Sequence, residues 1–150
     1  MNATHPDGRS MALWLGYLGL IPFLAGAGLA LVGEPALRDL AIRAVLAYGA
    51  VIASFVGAIH WGLALTHRGP QAPGLYLVSV LPALAAWLAL LLTPRTGLPL
   101  LIATFVALWL YERARLWASV FPDWFAQLRT RLSAVAVLTL AVLWVLTPGL

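Results

Sequence analysis

Two ionisable side chains stand out because apolar residues surround them. His60 lies inside a charge-free run over 44–67 and is followed by Trp61 and Gly62, while Glu112 follows Tyr111 at the end of a second run over 96–111. An ionisable group within an apolar segment is costly to bury and marks function by default. A His–Glu contact in a dry setting can pass a proton or hold a polar head group. Arg129 sits in a later amphipathic stretch and is a hypothetical partner for Glu112 or a lipid phosphate, since a guanidinium grips either in bidentate fashion. Trp61 and Trp124 add flat surfaces with a polar edge, and Ser54 adds a hydroxyl to the run that holds His60. These six residues form the candidate polar or ligand site. The plainer alternative is structural, with Glu112 bound to Arg113 or Arg115 and His60 bound to a backbone carbonyl.

Other chemistries find no support. Cysteine is absent, which excludes disulfides, thiolate catalysis and sulfur-ligated metal centres. The three histidines and five carboxylates are scattered, so no metal cluster is expected. His60 and His67 lie two turns apart on one segment and cannot clamp one haem iron. No glycine-rich phosphate loop, serine elbow or paired carboxylate occurs. No catalytic residue and no cofactor is assigned, and the chain reads more readily as a non-enzyme.

Composition says what medium must position these residues. Of 150 residues 63% are hydrophobic and only 9% are charged, against roughly 25% charged in a soluble domain. Mean hydropathy is +0.95. The nine arginines fall singly or in pairs between apolar runs instead of clustering on one face, which argues against nucleic-acid binding. A spanning helix needs about 20 mostly apolar residues. The runs are continuous, not alternating, which selects helices over barrel strands. The expectation is one all-α integral membrane domain over 1–150, a bundle of five transmembrane helices near 11–32, 43–65, 75–93, 98–118 and 132–147. Membrane lipids are then its first partners.

Between the fourth and fifth spans, Pro122 and Asp123 suit the start of a helix. Phe121, Trp124, Phe125, Leu128 and Leu132 share one face by helical spacing, which predicts a short interfacial helix before the last span. Its rival is an extension of that span. Arginine counts set the orientation: Arg9, Arg68, Arg113, Arg115, Arg129 and Arg131 on one side, Arg38, Arg43 and Arg95 on the other. Six against three places the amino terminus in the cytoplasm and the carboxyl terminus outside. The apolar run after Arg9 is too long for a secretory signal, and ten residues leave no room for a transit peptide, so a bacterial inner membrane is the expected home. Trp14, Tyr17, Trp61, Tyr76, Tyr111, Trp117 and Trp124 gather at one level, as an interfacial belt does.

Packing signals concentrate in the second span. Gly49, Ala53 and Gly57 form one small-residue ridge, and Ala50, Ser54, Ala58 and Gly62 a second. Such ridges let helix backbones approach closely in lipid. A rival use is room for a flat ligand beside Gly57. Leu20-Ile21-Pro22-Phe23-Leu24-Ala25 parallels Val80-Leu81-Pro82-Ala83-Leu84-Ala85, which raises the prospect of a repeat and predicts kinks at both prolines.

The string from Tyr48 to Gly62, with Ser54, Phe55, Gly57, His60, Trp61 and Gly62 at its heart, resembles the signature of the DUF3429 family. Pro122, Trp124, Leu128, Arg129 and Leu132 look like its second motif, with Phe125 where that family commonly has Tyr. The resemblance implies a small multispan protein of bacterial inner membranes and mitochondria, with no established activity, substrate or cofactor. The reading that follows is a non-catalytic accessory, scaffold or assembly component of a membrane complex, partnered by another membrane protein or by copies of itself. Two alternatives stand beside it: a lipid- or quinone-binding protein or enzyme with a cytoplasmic-leaflet site around His60 and Glu112, and an oligomeric channel or transporter.

Overall fold

The computed structural model describes residues 6–66, 72–117 and 120–147. His67, Arg68 and the predicted end of the fourth span at Ala118 lie outside them. Six helices and no strand occur among the described residues: α1 (Pro6–Leu18), α2 (Ile21–Val32), α3 (Pro35–Thr66), α4 (Ala72–Leu91), α5 (Pro94–Arg115) and α6 (Asp123–Val145). Five segments are long and apolar enough to cross a membrane, α1 and α2 together making the first.

The first span is broken, where one kinked helix was expected. Pro22 has no N–H to offer Leu18, and Gly16 and Gly19 supply little stiffness before it. The chain turns at Gly19–Leu20, where Leu20 N–H bonds to Tyr17 O at 3.0 Å. A carbonyl left open at such a break needs a donor in hydrocarbon. The Tyr48 hydroxyl on α3 provides it, donating to Gly19 O at 2.9 Å. Pro82, the supposed counterpart, sits inside an uninterrupted α4 and is buried against α3. The two prolines therefore do different work.

The central element is α3. Its 32 residues reach about 48 Å at 1.5 Å per residue, well beyond the roughly 30 Å of bilayer hydrocarbon. It starts eight residues before the predicted boundary at Arg43, so Arg38 and Arg43 are helical. Arg38 Nε donates to Ala30 O at 3.0 Å, closing an orphan carbonyl at the end of α2. Arg43 pairs with Asp39 at 2.8 Å on the exposed face. The core around α3 combines Phe23, Ile42, Leu98, Leu101 and Leu140 with Ala30, Ala53, Ala86 and Ala89, all essentially sealed. Large apolar side chains such as Trp14, Val32, Phe55 and Val145 point outward, as hydrocarbon permits.

The segment expected as a separate interfacial helix is the first three turns of α6. Helix runs from Asp123 to Val145 without interruption, and Ala126, Leu128 and Arg129 on those turns are buried in the bundle. Burial of Arg129 is the reason: a helix lying flat on the leaflet would have left it outside. Arg129 is accordingly no loop cation and drops out of the orientation count.

Small residues differ sharply in use. A Cβ on Gly57 would lie 2.7 Å from the Ser79 carbonyl and 3.3 Å from the Pro82 ring, so the space beside Gly57 holds α4 and not a ligand. Gly49 meets Leu101 and Phe23 in the same way. Gly62, expected on a packing ridge, faces outward with nothing within 4 Å of such a Cβ, and Ala58 is exposed too. Gly97, which no spacing singled out, touches the Ala89 carbonyl across the α4–α5 turn. Gly57→Val must displace backbone and is predicted to lower stability by about 1–3 kcal/mol, the usual toll of overpacking. Gly62→Ala is predicted to leave it unchanged. Thermal unfolding followed by size-exclusion in detergent reads both; equal midpoints for the two variants would contradict the packing assignment.

Candidate functional site

Three of the six predicted residues meet inside the bundle. His60 comes from α3, Glu112 from the last turn of α5 and Arg129 from the second turn of α6, with relative exposures of 0%, 1% and 6%. Arg129 clasps Glu112 with two hydrogen bonds, Nε to Oε2 at 3.1 Å and Nη2 to Oε1 at 3.0 Å. This parallel fork is the strongest geometry an arginine and a carboxylate can adopt. Arg113 and Arg115, the local candidates for Glu112, instead project outward from the end of α5. There they suit the negative end of the helix dipole. Arg113 also lies over the rings of Trp109 and Trp117, at 5.5 and 5.6 Å.

His60 approaches the same carboxylate, with Nε2 3.7 Å from Glu112 Oε1. Its Nδ1 lies 3.2 Å from Gly57 O and Nε2 has no hydrogen bond. When Nδ1–H donates to Gly57, Nε2 is a bare acceptor in the neutral ring and a donor toward Glu112 in the imidazolium. The Tyr111 ring packs beside His60 at 5.8 Å between centroids. His60, Glu112 and Arg129 thus form a buried polar knot joining three helices.

The other predicted residues lie apart from the knot. Trp61 turns outward, 48% exposed, and meets Tyr76 edge-on at 5.0 Å. Trp124 meets Phe125 edge-on and lies under the Arg9 guanidinium at 5.7 Å. Ser54 Oγ donates to Ala50 O at 2.9 Å within its own helix. Interhelical cavities of about 190, 220 and 230 Å³ have walls that include neither His60 nor Glu112. Among the described residues no group of three His, Cys, Asp or Glu comes together.

Sequence reasoning passed over Ser133, a buried hydroxyl without a hydrogen-bond partner one turn beyond Arg129. A serine within an apolar run carries no spacing signal, because its usual use is a bond to its own helix. It also passed over Trp144, whose Nε1 donates to Arg95 O at 3.1 Å. That carbonyl is the one Pro99 leaves open, so the pair could have been sought from the proline alone.

Removing one partner of a buried pair strands the other charge. Arg129→Met is predicted to destabilise by about 3–5 kcal/mol for that reason. The Glu112→Met/Arg129→Met double variant is predicted to recover most of the loss. A double-mutant cycle on thermal stability in detergent checks this, and additive losses would refute the pairing.

Comparison with known proteins agrees with this architecture. A family model described as "Protein of unknown function (DUF3429)" matches residues 8–145. Transmembrane protein 69 of Xenopus tropicalis is 38% identical over 138 residues, covering 89% of this chain and 53% of that protein. Transmembrane protein 69 of Mus musculus is 30% identical over 145 residues, covering 93% and 58%. The chain thus spans little more than half the length of these curated relatives. No solved structure matches it. Helical architecture, apolar spans and sequence agree that this multi-pass membrane chain belongs to the DUF3429 family.

Proposed function

We propose that the chain is a non-catalytic accessory or scaffold subunit of a membrane complex. The carrying observation is that its buried acid and base are spent on each other: Glu112 is held by both arms of the Arg129 fork and sealed from solvent. A carboxylate so engaged is a poor general base, since both its oxygens hold the guanidinium and it lines none of the three interhelical cavities. What the knot does supply is a fixed register among α3, α5 and α6. A rigid bundle with an almost wholly apolar exterior is suited to standing against other membrane proteins.

We propose an inner membrane as its home, and the arginine pattern supports an amino terminus in the cytoplasm. Arg9, Arg113, Arg115 and Arg131 lie toward one end of the bundle, where Arg9 meets Trp124 and Arg131 Nη1 donates to Tyr17 at 3.2 Å. Arg38, Arg43 and Arg95 belong to the opposite end, where Arg95 Nη1 donates to Thr147 O at 3.3 Å. Four described cations against three favour the same orientation as the full count.

Two measurements test these proposals. Solubilised from its native membrane in mild detergent, the chain is expected to migrate on a native gel with a stoichiometric second membrane protein. Recovery of a 16.1 kDa chain that runs alone in every mild detergent tried would defeat the scaffold reading. A reporter fused after Leu150 is expected to be active only outside the cytoplasm; cytoplasmic activity would reverse the orientation.

A further inference from the structure

A cleft of about 190 Å³ lies between the α1–α2 break, α3, α5 and α6. Four phenyl rings line it: Phe23, Phe55, Phe105 and Phe125. Leu15 and Phe55 at its edge are 61% and 67% exposed, so the cleft is reached sideways from the lipid. Its polar features are Arg129 and Ser133, four residues apart and therefore stacked on one face of α6. Arg129 uses Nε and Nη2 on Glu112, and Nη1 takes no part in that pair.

Ser133 is the informative residue. It is only 6% exposed, yet its Oγ has no hydrogen-bond partner. Ser54, Thr104 and Thr130 all satisfy themselves by donating to the carbonyl four residues earlier. Ser133 does not, and a buried hydroxyl left open forfeits the value of a bond that was available at no distance. Ser133 lines this cleft and also the adjoining cavity of about 230 Å³, and its open hydroxyl stands between the two.

We propose that this cleft binds the ring head of a membrane quinone. An oxygen acceptor suits the cleft, because Arg129 can only donate and the Ser133 hydroxyl can donate beside it. A flat ring is favoured over an acyl chain, because aromatic rings pack best edge-to-face or offset against others. The volume is right for one substituted ring, since an apolar cavity of about 150 Å³ already holds benzene. The isoprenoid tail leaves between Leu15 and Phe55 into the bilayer. This site adjoins the knot through Arg129 but uses neither His60 nor Glu112, and it does not depend on the scaffold reading, for a scaffold subunit can bind a quinone without reacting with it.

The test uses the full chain in phosphatidylcholine nanodiscs, titrated with a radiolabelled decyl-substituted benzoquinone and, in a parallel arm, with labelled oleate. One saturable quinone per chain is expected, with no displacement by oleate. Ser133→Ala should keep the wild-type thermal midpoint, its hydroxyl having no partner to lose, while weakening quinone binding about tenfold. Ser133→Leu should fill the cleft and abolish binding; should that variant fail to fold, Ser133→Ala alone decides. The proposal is overturned by the absence of saturable quinone binding, by unchanged affinity in Ser133→Ala, or by oleate displacing the quinone, which would mark an acyl-chain groove.

Discussion

In hydrocarbon a polar group finds a partner within the protein or goes without one, and that constraint organises this molecule. Helices answer it for most of the backbone. The exceptions are instructive because each has its own remedy. The carbonyl at the α1–α2 break takes the Tyr48 hydroxyl, the carbonyl freed by Pro99 takes the Trp144 indole, and the end of α2 takes Arg38. The same logic applied to charge produces the knot of Glu112, Arg129 and His60. Its members come from three helices, so satisfying the charge also sets how those helices sit together.

Such a pair is weak evidence for stability as such, because desolvating both ions offsets much of their attraction. Its clearer consequence is specificity. Apolar side chains slide past one another in lipid with little preference for register, whereas a bidentate fork accepts one alignment. Close contacts at Gly57 and Gly97 fix the neighbouring helices in a complementary way, through shape. Function then has to be sought where the constraint is left unmet. Ser133 Oγ is one such place, and His60 Nε2 is another.

The local half of this organisation was legible in the chain. Long charge-free runs announced the spans, and His60 and Glu112 stood out against them because their types are costly there. Residues 122–132 were read correctly as helical and incorrectly as lying flat, since an amphipathic face looks alike whether it meets head groups or a neighbouring helix. Gly57 and Gly62 show the same ambiguity. They share a spacing pattern that permits packing on either ridge, yet a neighbouring helix covers Gly57 and leaves Gly62 open.

By itself, then, the sequence determined the medium, the helices and the identity of the few charges that had to be accommodated. These follow from transfer free energies and helical periodicity, which act on each segment alone. Tertiary structure decided that Arg129, and not the adjacent Arg113 or Arg115, neutralises Glu112, that Pro22 breaks its span while Pro82 does not, and that a cleft opens beside Ser133. Each of those outcomes depends on which surfaces face one another across helices. That information resides in the packing of the whole bundle and in no single stretch of it.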